Sequence, residues 1–174
     1  MTDSAPAMHD SKADSRPGDW AKLGKLIRDI QVALLTTVDL EGHFHTRPVQ
    51  TLQLEGEDTL WFFTDWGSPK VHELQRDVRV ALSYADTRQH AYVALSGSST
   101  LLRDPKKARE IWSIEQRAYY PEGPEDHRLA LLRVRIEHAE YWIAPGRTSY
   151  LLAAAKAVVT GVPMGVIGEN RKLE

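Results

Sequence analysis

The sequence predicts a mainly β domain, an antiparallel β-barrel of six or seven strands with peripheral short helices, and three observations carry that expectation. Runs rich in β-branched and aromatic residues recur between Gln31 and Ile143, with turn residues between them. Two of the turns, Asp39-Leu40-Glu41-Gly42 and Glu55-Gly56-Glu57-Asp58, are short enough to join antiparallel neighbours directly. Strands and helices do not alternate strictly, which disfavours a doubly wound parallel sheet. Closure into a barrel would also remove the exposed edges of the longer strands.

Trp20, Leu23, Ile27 and Ile30 recur at helical spacing, so residues near 18–29 are expected to form an amphipathic helix, modestly weakened by Gly24. Gln31 to Val38 reads as a strand, His43 to Leu54 as its returning partner, and the aromatic run ending at Asp65 as a third. A short helix near 68–76 follows, then strands from Val78 to Tyr84 and from His90 to Leu102, the second bending at Gly97. Asp104-Pro105 supplies a cap and a first-turn proline for a helix running toward Tyr119-Tyr120, which Pro121-Glu122-Gly123-Pro124 stops. Leu129 to His138 alternates with the period of a half-buried strand, and Ala139 to Ile143 continues or pairs with it. An Ala- and Leu-rich helix is expected from Ser149 to Val158.

At 174 residues the chain suits one domain, expected over residues 19–160. Residues 1–18, rich in Ser, Asp, Ala and Pro without an apolar core, read as a disordered tail. They resemble neither a secretory signal nor a membrane anchor, so a cytoplasmic protein is expected. Residues 161–174 show no usable periodicity and read as a C-terminal tail. A formal charge of −2 with dispersed Lys and Arg argues against a general nucleic-acid binder. The absence of cysteine excludes disulfides, thiol catalysis and iron–sulfur clusters, so any redox chemistry must come from a borrowed cofactor.

The segment from Trp61 to Leu74 is the most informative. A buried strand is broken by Gly67-Ser68-Pro69-Lys70, which opens a helix. Thr64 and Ser68 offer hydroxyls, the helix start offers unpaired N–H groups and Lys70 offers a compact positive charge, a combination suited to a phosphate. Arg47, one strand earlier beside Pro48, could bring a second cation to the same anion. The same residues also read as ordinary helix punctuation.

Other features point less sharply. His43 and His45 share one strand face but show no third metal ligand, so no metal is expected. Trp142 ends a strand ahead of Pro145-Gly146-Arg147, at the rim of a barrel, though core packing is the plainer reading. Arg117, Tyr119 and Tyr120 could line a groove, but a solvated face is the plainer reading. There is no Gly-rich dinucleotide fingerprint, P-loop or nucleophile elbow.

Taken in order, Leu35-Thr36-Thr37, Thr46-Arg47-Pro48-Val49, Trp61-Phe62-Phe63-Thr64, Ser68-Pro69-Lys70, Tyr92-Val93-Ala94-Leu95-Ser96-Gly97 and Glu140-Tyr141-Trp142 resemble the FMN-binding split β-barrel family related to pyridoxamine 5′-phosphate oxidase, in its bacterial general stress protein branch. The resemblance implies FMN, and in some members FAD, held in a cleft between two subunits of a homodimer. It places Arg47 and Lys70 on the phosphate with Thr64 and Ser68 as hydrogen-bonding partners, Pro48 and Val49 along the isoalloxazine, and Phe63 beside the phosphate strand. Tyr92 would approach from the partner subunit and Trp142 would pack at the other side of the cleft. Where the oxidases carry an Arg-Leu-His-Asp-Arg type segment, this chain has Arg147-Thr148-Ser149-Tyr150, so vitamin B6 oxidation is not expected. The function expected is that of a general stress protein and flavin-dependent oxidoreductase. The alternatives are a non-catalytic flavin sensor or reservoir, and a split barrel holding haem or a deazaflavin.

Overall fold

The computed structural model describes residues 18–144 and 168–173, together with Lys156 and Val158. Its first element is helix α1 (Asp19–Ile30), whose Leu23 and Ile27 are buried as their spacing predicts. Gly24 does more than weaken this helix. A Cβ there would lie 3.0 Å from Leu54 Cδ2, so the missing side chain lets α1 approach the barrel closely. Gln31 turns the chain at φ 64° with its N–H on Ile27 O, and strand β1 (Val32–Val38) starts one residue later.

β1 pairs antiparallel with β2 (Phe44–Gln50). The expected return strand from His43 to Leu54 is in fact two strands. Thr51 N–H donates to Gln31 O at 2.8 Å while Leu52 N–H donates to Trp61 O at 2.9 Å, so the chain changes partner between these residues and continues as β3 (Gln53–Glu55) against β4 (Thr59–Asp65). Helix α2 (Pro69–Leu74), strands β5 (Arg79–Asp86) and β6 (Ala91–Leu102), and helix α3 (Pro105–Glu110) follow. β7 (Leu129–Ile143) is one continuous strand of 15 residues.

The described strands form one antiparallel sheet in the order β2-β1-β5-β6-β7-β4-β3, with β8 (Glu169–Leu173) pairing with β7. β2 and β3 stand at opposite ends of that order, yet only Thr51 and Leu52 separate them in the chain. Two residues span less than about 12 Å, so the two ends of the sheet meet and it rolls into a barrel. Leu35, Phe62, Leu82, Tyr84, Val93, Leu132 and Tyr141 fill the interior with α1 as a plug. The architecture is the antiparallel split barrel with short helices that the sequence predicts, with eight described strands rather than six or seven.

Two more elements depart from expectation. The helix starting at Asp104 is well capped, the Asp104 carboxylate accepting the N–H groups of Lys106 and Lys107, but it ends at Glu110 and the chain resumes as a 3-10 turn over Ile114–Ala118. Stopping early lets Trp112 pack 5.7 Å from Phe63, while Tyr120 meets Phe63 edge-on at 6.1 Å. The C-terminal segment, read as a tail, contains β8. Its backbone pairs with β7 and only Leu173 is buried, while Glu169 pairs with Lys22 and lies 3.0 Å from the Tyr141 hydroxyl. The helix expected from Ser149 to Val158 lies outside the described residues apart from Lys156 and Val158, which are helical. No helix among the described residues is long and apolar enough to cross a membrane.

Candidate functional site

β4 ends in a tight turn. Ser68 N–H donates to Asp65 O at 3.0 Å and Gly67 N–H to Asp65 Oδ1 at 2.8 Å, which sets Ser68 in extended backbone immediately before α2. Ser68 occupies the N-cap position but its hydroxyl caps nothing. It lies instead 3.3 Å from Lys70 Nζ and 3.4 Å from Thr64 Oγ1, while Lys70 Nζ donates to Thr64 Oγ1 at 3.0 Å. Thr64 is buried and points inward from β4. Two hydroxyls and an ammonium therefore converge on one point, as the local sequence predicts.

Lys70 makes no ion pair among the described residues. Burial pulls its pKa below the ordinary lysine value, the positive charge of Arg47 adds to that, and Asp65 and Glu73 pull it back only in part. An anion seated beside the ammonium would offset part of that burial cost.

Arg47 is differently placed. Its guanidinium donates to the Thr37 hydroxyl and to Glu73 Oε2, the latter at 2.8 Å, and Thr37 donates to the same carboxylate oxygen. His45 Nδ1 lies 3.5 Å from Glu73 Oε1, and its Nε2 lies 3.0 Å from Asp39 Oδ2, which His43 also approaches. Burial raises the Glu73 pKa, but the hydrogen bonds from Thr37 and Arg47 outweigh it and hold the carboxyl below its usual range. Asp39 falls to about 2, chiefly because it accepts the backbone N–H of His43. Glu73 and Thr37 are the partners that sequence reasoning missed. They lie 26 and 10 residues from Arg47, on α2 and β1, and only the register of the elements brings them together.

This arrangement predicts a structural role for Arg47. Arg47→Ala leaves the half-buried Glu73 carboxylate without its cation and should lower stability by about 1–3 kcal/mol, read by chemical denaturation at neutral pH. Denaturation curves that superimpose on those of the unmodified protein would contradict it.

A hollow of about 320 Å³ opens beside Lys70. Pro48 and Val49 form one wall, Phe63 and Thr64 another, and Tyr119 with Tyr120 closes the far side. The two tyrosines, for which a groove is the less favoured of two sequence readings, line the hollow; burial pushes the Tyr120 hydroxyl up to about 12. Tyr92 and Trp142 lie elsewhere. They are cross-strand partners on β6 and β7, facing outward on the side of the sheet that also carries Leu34, and neither lines this hollow. Arg147 lies outside the described residues.

A family model described as pyridoxamine 5′-phosphate oxidase like matches residues 18–164. The chain belongs to this family. Among curated proteins, protein bli-3 of Neurospora crassa is 24% identical over 155 residues, covering 83% of this chain and 74% of bli-3. Among solved structures, the general stress FMN/FAD binding protein of Xanthomonas citri is 28% identical with a TM-score of 0.61, covering 70% of this chain and 86% of that one. A protein from Clostridium acetobutylicum related to general stress protein 26 reaches a TM-score of 0.65 at 20% identity, over 71% of this chain and 87% of that one, a likeness of fold alone. Proteins described as general stress proteins are thus among the neighbours of this chain in architecture.

Proposed function

We propose that this chain binds a flavin nucleotide, FMN or FAD, by the phosphate of its FMN moiety, as a cytoplasmic homodimer with the flavin at the subunit interface. The observation that carries the reading is the convergence of Lys70 with the hydroxyls of Thr64 and Ser68, at a point where no carboxylate among the described residues forms an ion pair with the ammonium. A phosphate there accepts hydrogen bonds from all three, and charge-assisted bonds of this kind are the stronger class. Arg47, held by Glu73 and Thr37, adds a second positive charge nearby without turning its fork outward. Pro48, Val49 and Phe63 bound the space for the ring system. That the Xanthomonas citri relative is described as an FMN/FAD binding protein supports the same choice of ligand.

The flavin would supply hydride and electron transfer, and the protein orientation and electrostatics. We therefore read the chain as a flavin-dependent oxidoreductase of the general stress type, without vitamin B6 oxidation. The homodimer is supported by the outer face of the sheet, where Val32 is 51% exposed and Leu34 49%. The cross-strand registers carry this face from Leu34 through Ser83 and Ala94, and Tyr92 with Trp142 stands on it too, available to a second copy. Light scattering on the flavin-loaded protein should give twice the chain mass; a monomer carrying flavin would overturn the dimer.

The lowered Lys70 pKa sets a pH signature. A bound phosphate favours the charged ammonium, so FMN affinity should fall as pH rises through the value at which Lys70 loses its proton in the free protein. That loss begins below the ordinary lysine pKa of about 10.4. Riboflavin, which has no phosphate, should show no such fall. Calorimetric titrations at several pH values above neutrality measure both, and parallel curves for the two ligands would contradict the assignment.

A further inference from the structure

His43 and His45 share one face, and sequence alone shows no third ligand beside them. The fold supplies one. Asp39 opens the turn between β1 and β2, and its half-buried carboxylate is fixed by backbone: Oδ1 accepts the N–H groups of Glu41 at 2.9 Å and of His43 at 2.8 Å. Oδ2 is left facing the two rings, with His43 Nδ1 at 3.2 Å and His45 Nε2 at 3.0 Å. Glu41 brings a second carboxylate to within 4.8 Å of the ligand atoms of Asp39 and His43. Two ligand atoms on one tetrahedral zinc ion stand about 3.3 Å apart, given bonds of about 2.0–2.1 Å. The carboxylate and the imidazoles are already gathered at nearly that spacing.

The protons on His45 carry the argument further. Its Nε2 faces Asp39, while its Nδ1 lies 3.5 Å from Glu73 Oε1. A neutral imidazole has one N–H, so whichever nitrogen lacks it turns a lone pair toward a carboxylate. A metal ion on Nε2 removes that conflict, because the Nε2 lone pair then binds the ion and Nδ1 keeps its proton toward Glu73. A carboxylate behind a metal-binding imidazole is the usual device that fixes its tautomer and orientation. Glu73 is in turn held by Thr37 and Arg47, so the ring has a rigid support. A doubly protonated imidazolium is the competing arrangement, and it would leave both histidines as plain ion-pair partners of Asp39.

We propose that Asp39 Oδ2, His43 Nδ1 and His45 Nε2 bind one divalent transition-metal ion of the zinc class, with Glu41 or water in the fourth position. Two imidazole nitrogens and a carboxylate suit zinc, whereas magnesium takes oxygen ligands. No residue of the Lys70 phosphate site is a ligand here, so the metal site stands independently of the flavin reading.

The test is calorimetric titration of the tag-free protein, stripped with chelator, with Zn2+ and separately with Mg2+. The unmodified chain should bind one zinc ion and should bind Mg2+ far more weakly. His43→Ala and His45→Ala should each weaken zinc at least about tenfold, the lower bound for losing even an outer partner of a metal site. Both side chains are exposed, and thermal unfolding without metal should be unchanged in the two variants. His127, which stands with Glu122 and Asp126 in the other metal-capable cluster among the described residues, is the control, and His127→Ala should leave zinc affinity as it was. Absence of zinc binding by the unmodified chain, zinc affinity undiminished in either His43→Ala or His45→Ala, or a loss in His127→Ala in their place would overturn the site.

Discussion

Lys70→Ala is expected to weaken FMN by about 1.5–3 kcal/mol, roughly 10- to 150-fold, with a clearly smaller loss for riboflavin. The magnitude is that of one hydrogen bond to a charged group. The specificity for FMN follows from where Lys70 points, at two hydroxyls, with no carboxylate among the described residues in an ion pair with it. The apoprotein should not suffer. Because burial and Arg47 hold the Lys70 pKa below its unfolded value, the charged lysine costs stability at neutral pH, a cost relieved only as pH rises through the folded pKa. Removing the ammonium therefore leaves the empty protein as stable as before, or more so. Thermal unfolding of apo and FMN-loaded samples separates the two effects. A variant that loses apoprotein stability in step with FMN affinity would mean that Lys70 serves the fold rather than the ligand.

Gly97→Ala should be the most damaging single methyl that can be added to the barrel. β6 and β7 change register between Ser96 and Gly97, where Gly97 stands opposite Ile136 and Ser96 opposite His138, so Glu137 is the extra residue of a bulge. Ile136 N–H turns away to Asp58 O at 2.7 Å, and Ser98 hydroxyl donates to Glu137 Oε1 at 2.8 Å. A Cβ on Gly97 would lie 1.9 Å from the carbonyl oxygen of Arg135. That neighbour is backbone in the longest strand of the sheet, so relief requires moving β7 against β6. A loss of about 3 kcal/mol or more is expected, with a fall in soluble yield. Gly97 carries no positive φ, so the loss comes from this contact and not from backbone strain. Equal stabilities for Gly97→Ala and the unmodified chain would show that the bulge is not closely packed.

What was legible in the sequence was what is local. The alternation of Leu129 to Ile136 marks its strand because one face is buried throughout, and Asp104-Pro105 marks its helix because capping involves residues only a few positions apart. Thr64, Ser68 and Lys70 fall within seven residues around one turn, so their meeting could be read without tertiary information. Glu73 gave no comparable signal. It looks like any exposed helical carboxylate until β2 is laid against α2 and Arg47 reaches it.

The strand break at Thr51-Leu52 was hidden for a related reason. Nothing there resembles a turn, and the chain stays extended while exchanging one hydrogen-bonding partner for another. The early end of α3 shows packing overriding helical periodicity, with Trp112 drawn onto Phe63. β8 was invisible because Glu169 to Lys172 carries no apolar alternation; its place depends on backbone pairing and on the charged groups around Tyr141 and Lys22.

The central claim is that a phosphate on a flavin is what Lys70, Thr64 and Ser68 recognise. The most direct measurement is titration of the apoprotein with FMN, riboflavin and pyridoxal 5′-phosphate under one set of conditions, followed by flavin fluorescence and calorimetry. Tight binding of FMN that neither riboflavin nor pyridoxal 5′-phosphate matches is the predicted result, since it requires both the ring system and the phosphate. Riboflavin binding as tightly as FMN would contradict the phosphate site, and no flavin binding at all would contradict the function proposed for this chain.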